Sequence, residues 1–304
     1  MPHLSHLLRR ARARAALAAV LVACGSLAIQ TSAALAEGLF DHLGVLGVSG
    51  LRMSVAAVVL LLVARPRVRG LSPAAWRGVV LYGVAMAAMN VLFYQAVARI
   101  PLGVAVTLEF LGPLAVAAAA ARGWTRALPV VTLAGVALVA GGGGITDAWG
   151  LVFGLGAAVA FAGYTVLAGK VGEETGGLSG LALSVTVGAL VLSPFQVAAA
   201  PSLTSADVLP LVLSGLLGVA LAFSMDFLAV RLSSARVVGT LFAVDPVMGA
   251  LVAAVMLGQV LAPAVLLGIV VVIASGALTI WRGTASEPAP EPTPGPVPAP
   301  LPPS

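Results

Sequence analysis

"VARIPLGVAVTLEFLGPLAVAAAAARG", residues 97–123, carries one acidic residue, Glu109, inside an apolar run bounded by Arg99 and Arg122. A span drawn over about 101–121 has the roughly 20 residues that an α-helix needs to cross hydrocarbon. Glu109 then lies about eight residues, or ~12 Å, below the end that carries Arg99. An ionised carboxylate facing lipid is costly, so Glu109 is expected to face the bundle interior or water, or to be protonated. A carboxyl set in that environment can take up and release a proton, as coupling to a proton gradient requires. The alternative is a carboxylate satisfied by neighbouring hydroxyls or amides.

The rest of the chain has the same character. Of 304 residues, 60% are hydrophobic and 9% charged, with mean hydropathy +1.10. A soluble domain carries about 25% charged residues, so membrane is the default class. Ten apolar stretches of spanning length run at about 15–36, 43–63, 76–98, 101–121, 127–145, 149–168, 179–199, 208–230, 237–257 and 261–281. In lipid these must be helices, because an open sheet edge would strand backbone donors and acceptors. The expected fold class is an all-α polytopic membrane protein with ten transmembrane helices.

Charge orients it. With the N-terminus in the cytoplasm, 14 of the 16 basic residues fall on one side, from Arg9 and Arg10 through Arg65–Arg77 to Arg282. Only Arg99 lies in a loop on the other side, and Arg52 lies within the second span, while Glu37, Asp41, Asp147 and Asp207 occupy the outer loops. This bias predicts a multi-pass protein of the bacterial inner (cell) membrane with both termini cytoplasmic. The net charge of +5 and pI near 10.3 do not indicate nucleic-acid binding. The positive charge is strung along short loops on one face, where anionic lipid headgroups are its neighbours.

The ends are read separately. Residues 1–14 form a basic cytoplasmic N-terminus, and 282–304 a proline-rich, disordered cytoplasmic tail with nine prolines between Pro288 and Pro303. The stretch "LLRRARARAALAAVLVACGSLA" (7–28) resembles a signal peptide, and "LVAC" (21–24) a lipoprotein cleavage site. Hydrophobic segments continue to residue 281, however, and cleavage would leave an odd number of spans. Cys24 is instead expected to be a small helix-packing residue; as the single cysteine it leaves no intramolecular disulfide.

A second stretch, "VRLSSARVVGTLFAVDPVMGALVAAV" (230–255), repeats features of the first. Arg99 and Arg231 align at an offset of 132, and a shift to 133 sets Gly112–Pro113 against Asp245–Pro246. That offset spans five helices, and an odd number of crossings inverts the second half. Residues 15–145 and 149–281 are therefore expected to be two inverted five-helix repeats, with a path at their interface. The two carboxylates, Glu109 and Asp245, then lie on opposite sides of the midplane, each not far from it. Pro113 removes the helical bond of the Glu109 carbonyl, and Pro246 that of Phe242, so both are expected kinks.

Further polar residues mark candidate lining of a substrate or proton path. Ser26 and Gln30 share a face of the first span, and Asn90 and Tyr94 a face of the third. Interhelical hydrogen bonding is the simpler alternative for each pair. Arg52 either snorkels to the outer interface or attracts an anionic group such as a substrate carboxylate. Asp226, near Arg231, reads as structural. No enzyme constellation appears: His3, His6 and His42 have no metal-ligand spacing, and the glycines of "AGGGGITD" follow no soluble strand. No cofactor is expected, and without a nucleotide module ATP is not the direct energy source in this chain.

Three stretches carry a family resemblance: "SLAIQTSAALAEGLFDHLGVLGVSGLR" (26–52), "RIPLGVAVTLEFLGPLAVA" (99–117) and "FSMDFLAVRLSSARVVGTLFAVDPVMGALVAAVMLGQVL" (223–261). They resemble the ten-helix EamA-type permeases of the drug/metabolite transporter superfamily, and most of all its threonine/homoserine exporter branch, over about 15–281. The resemblance implies a secondary carrier exporting a small metabolite, with a neutral amino acid as first candidate, by proton exchange. It makes Gln30, Arg52, Glu109 and Asp245 the candidates for the translocation path. The chain departs from the family pattern in reading "AVDP" (243–246) for "SLEP", neutral Gln259 in "LGQ" for "LGE", and "SMDF" for "SLEM"-like stretches. Metabolite uptake, drug efflux by the same fold, and a membrane enzyme acting on a lipid-linked substrate are the alternatives. Expected partners are the small-molecule substrate, protons and membrane lipids. Homodimerisation stays open, since an apolar helix face looks alike against lipid or a second subunit.

Overall fold

A computed structural model describes residues 2–119, 128–139, 147–175, 178–222, 224–225, 228–229 and 242–285. Asp226, Arg231, the glycines at 141–144 and the proline-rich tail from 286 lie outside the described residues. The regular elements of the described residues are all helices: α1 Pro2–Glu37, α2 Phe40–Leu43, α3 Val45–Ala64, α4 Pro73–Val97, α5 Leu102–Ala119 and α6 Leu128–Val139. They continue with α7 Ala148–Thr175, α8 Leu178–Val191, α9 Ser193–Ala199, α10 Ser205–Gly215, α11 Asp245–Met256 and α12 Pro263–Ala285.

Local chemistry sets many of the ends. Ser72 accepts a hydrogen bond from the Ala75 amide at 3.1 Å, with Pro73 in the first turn of α4. Thr204 and Asp207 form a capping box at the start of α10. Gly44, at φ +70°, turns α2 into α3 through the left-handed region. The stretch 179–199 is not one straight helix: α8 and α9 meet at Leu192 with a 56° bend, and Pro194 opens α9. A π-helical turn, Leu216–Leu221, continues α10, and a 3-10 turn, Phe242–Val244, precedes α11. Asp245 and Pro246 thus open a helix, where proline's missing N–H leaves no helical bond unmade.

Among the described residues, three helices are long and apolar enough to cross a membrane, Ala16–Glu37, Val45–Ala64 and Pro73–Val97, and the bent α8–α9 pair makes a fourth. The described residues add six shorter apolar helices. The outside is apolar: Val255 is 75% exposed, Val159 74% and Leu62 67%. Buried side chains, by contrast, include Arg52, Gln30, Ser32 and Ser214. Apolar outside and polar inside is the reverse of a water-soluble protein and matches a bundle standing in lipid. Cys24 belongs to that exposed surface, so it is not the helix-packing residue its size suggested.

Helix α4 lies along α7 and α8, α5 along α7 and α11, and α6 along α12. Helix α3 packs on α8, α9 and α10, while α1 packs on α10, the π-helical turn and α11. Close approach depends on small residues. A Cβ on Gly112 would collide with the Ala158 carbonyl of α7, so α5 and α7 touch backbone to backbone there.

Candidate functional site

The polar groups that the sequence scatters over five helices come together inside the bundle. Arg52, eighth residue of α3, is 3% exposed. Its Nη2 donates to Ser32 Oγ on α1 at 2.6 Å and to the Ser214 carbonyl on α10 at 3.4 Å. Ser32 Oγ donates onward to the Ser214 carbonyl at 2.8 Å, and Ser214 Oγ returns a bond to the Ser32 carbonyl at 2.9 Å. The guanidinium lies over the Tyr94 ring of α4, 4.7 Å from its centroid. With its head group held by these partners, Arg52 does not snorkel to the interface.

Tyr94 links Arg52 to the carboxylates. Tyr94, 1% exposed, lies within electrostatic reach of both Arg52 and Glu109, and its hydroxyl sits beside Ser32 and Ser214 without hydrogen-bond geometry. Glu109 on α5 is close enough to Asp245 at the start of α11 for their charges to interact, and the Ser26 hydroxyl of α1 approaches Asp245. Counted from the helix ends that share one side of the bundle, Arg52 and Glu109 lie ~10 Å deep and Asp245 ~17 Å deep. Arg52 with Tyr94, Tyr94 with Glu109 and Glu109 with Asp245 are thus linked in a polar file whose last member, Asp245, lies deepest.

Most of these groups are unsatisfied. Among the described residues, Ser26 Oγ, Gln30 Oε1, Arg52 Nε, Asn90 Oδ1, Tyr94 OH and Glu109 Oε1 are buried with no hydrogen-bond partner. Buried polar atoms are nearly always paired, and an unpaired one is expensive. These are six atoms on four helices, α1, α3, α4 and α5, each able to take a polar partner. Gln95, by contrast, is engaged: its Oε1 accepts from Arg99 Nη1 at 2.6 Å.

Sequence reasoning missed several participants. Ser32 and Ser214 anchor Arg52, and their only sequence signal was a small polar residue within an apolar span. Glu37 Oε2 and Ser49 Oγ are two more buried atoms without a partner among the described residues; Glu37 sits in the last turn of α1, not in a loop. Gln259 accepts from the Leu102 amide at 3.0 Å and so caps α5, the helix that carries Glu109. Asp147, read as an outer-loop acid, faces Arg99 at 3.8 Å. No group of three or more metal-ligating side chains occurs among the described residues.

A helical bundle with an apolar exterior and an internal file of ionisable groups is a polytopic membrane transporter. Comparison with known proteins agrees. Residues 148–281 match the EamA-like transporter family. The chain is 32% identical over 263 residues to the threonine/homoserine exporter RhtA of Escherichia coli strain K12, covering 84% of this chain and 88% of that one. It is 31% identical over 273 residues to the protein of the same name from Salmonella typhimurium strain SL1344, covering 86% and 91%. A solved structure described only as the crystal structure of a protein aligns with 88% of this chain and 99% of its own, at TM-score 0.62 and 18% identity, a likeness of fold alone. The chain belongs to the EamA-like transporters of the drug/metabolite transporter superfamily, on the side of the RhtA threonine/homoserine exporters. That family is one of secondary carriers of small metabolites, not of enzymes.

Proposed function

We propose that this chain exports a small metabolite, a neutral amino acid such as threonine or homoserine, across the bacterial inner membrane in exchange for protons. The observation that carries the reading is Glu109: its Oε1 is buried without a hydrogen-bond partner among the described residues, and it lies within electrostatic reach of Asp245. Two acidic groups that close share charge unfavourably, so a proton on one stabilises the pair. A cation or a proton arriving from either side then changes which arrangement of the helices is favoured. Gln30, Asn90 and Tyr94 line the path beside them.

Alternating access is proposed to arise from ten membrane helices arranged as two inverted halves, residues 15–145 and 149–281. Symmetry in the packing supports this. Helix α7 contacts α4 and α5 in the first half, just as α1 contacts α10 and α11 in the second. Gly135 of α6 and Gly268 of α12, 133 positions apart, press on each other's carbonyls, as residues on a two-fold axis would. Helices α3 and α8 begin at Val45 and Leu178, also 133 apart. The same offset pairs Gly112–Pro113, packed on Ala158, with Asp245–Pro246, packed near Ser26. Both termini are placed in the cytoplasm by the charge bias.

The test is reconstitution. Proteoliposomes loaded with labelled threonine or homoserine should release it when protons are supplied from outside, and release should stop when the pH gradient is collapsed. Release that is indifferent to the gradient excludes proton exchange, and absence of release for both substrates directs the search to a cell-based metabolite-efflux screen with and without the gene.

A further inference from the structure

Proton exchange uses Glu109 and Asp245 and leaves Arg52 without a task. Its guanidinium is 3% exposed, yet among the described residues no carboxylate pairs with it. A buried cation without a counter-ion is costly unless an anion reaches it at some point in the cycle. The donor inventory shows where. Nη2 is taken by Ser32 and Ser214, the face is covered by Tyr94, and Nε–H has no acceptor among the described residues. A guanidinium edge that includes Nε is one that carboxylates grip.

The surroundings are shaped to hold this head group. A Cβ on Gly218 would overlap both Arg52 Nη2 and Ser32 Oγ, so only glycine leaves room for the arginine there. Gly218 lies in the π-helical turn Leu216–Leu221, an irregularity that clusters at functional sites. Nor is the cation a requirement of the fold. The offset of 133 carries Arg52 onto Val185, flanked by Ser184 and Thr186, so the other half packs at the equivalent place with no charge. The buried unpaired atoms among the described residues are of both kinds: Arg52 Nε and, against it, Tyr94 OH can donate, whereas Gln30 Oε1, Asn90 Oδ1 and Glu109 Oε1 elsewhere in the bundle can accept. One molecule carrying a carboxylate and an ammonium group satisfies both sets.

Resting on the export reading above, we propose that Arg52 is the receptor for the carboxylate of a zwitterionic substrate, binding it through Nε–H. Carboxylate-free compounds, whether amides, amino alcohols or cationic drugs, are then poor ligands.

The experiment measures equilibrium binding of labelled threonine to purified full-length protein. Unlabelled threonine competes against threoninol, in which the carboxylate is reduced to an alcohol. Loss of a charge-assisted bond predicts that threoninol competes about 50-fold less well in the native chain. Arg52→Gln should weaken threonine by about 50-fold and leave threoninol unchanged. Arg52→Lys, which keeps the cation but not the Nε–H fork, should fall between and guards against misfolding of the glutamine variant. Threonine affinity unchanged in Arg52→Gln, or threoninol binding as tightly as threonine to the native chain, overturns the assignment. Should threonine not bind at all, the same comparison is run on other carboxylic metabolites and their amides. An Arg52-dependent carboxylate preference there sustains the receptor and refutes the amino-acid reading; no such preference overturns the receptor.

Discussion

At the scale of single residues, position relative to neighbours decides role. Gly218 and Gly163 are both helical glycines in apolar segments, yet an added methyl meets Arg52 and Ser32 at the first and nothing within 4 Å at the second. Gly218→Ala should therefore destabilise by about 1–3 kcal/mol through overpacking. Gly163→Ala should be neutral or slightly stabilising through its effect on the unfolded chain. Thermal unfolding of the two purified variants checks this, and equal loss in both would contradict the docking of Arg52 against Gly218. Glu109 and Asp245 were legible from sequence because a carboxylate in an apolar run stands out. Arg52's interior docking was not. Snorkelling is the natural reading of an arginine near a helix end, and nothing in "SGLRMS" announces Ser32, Ser214 and Tyr94 as its lining.

At the scale of elements, the caps carry a pH signature. Asp207 accepts from both the amide and the hydroxyl of Thr204, at 2.8 Å each, with His42 at 3.0 Å on the other oxygen. These bonds, those from Thr204 first, hold its carboxyl below the usual 3.8. A depressed folded-state value means that the capping box stabilises α10 above pH 3.8 and loses that contribution as pH falls through the folded value. Asp207→Asn should accordingly melt earlier than the native chain at neutral pH, with the two converging under acid. A constant gap in melting temperature down to pH 3 would contradict it. Helix positions were largely legible: stretches at 43–63 and 76–98 became Val45–Ala64 and Pro73–Val97. Breaks were less so, since hydropathy averages across the bend at Leu192 and the restart at Asp245. Only the prolines at 194 and 246 hinted at either.

At the scale of the whole molecule, Glu109 and Asp245 lie within electrostatic reach of each other, and Tyr94 lies within reach of both Glu109 and the buried Arg52. In the proposed inverted-repeat frame two access states are close in energy, and the unpaired polar atoms would make each state sensitive to what occupies it. Composition and hydropathy were enough to read a multi-pass membrane protein, and the family resemblance to read a carrier. The convergence of α1, α3, α4, α5 and α11 on one polar file required coordinates, because no local pattern records which helix faces meet. The central claim is that Glu109 couples the proton to the cargo. Its most direct test compares gradient-driven release with gradient-independent exchange of labelled for unlabelled threonine in proteoliposomes bearing Glu109→Gln. Exchange should persist while gradient-driven release is lost; gradient-driven release at the native rate would contradict the account.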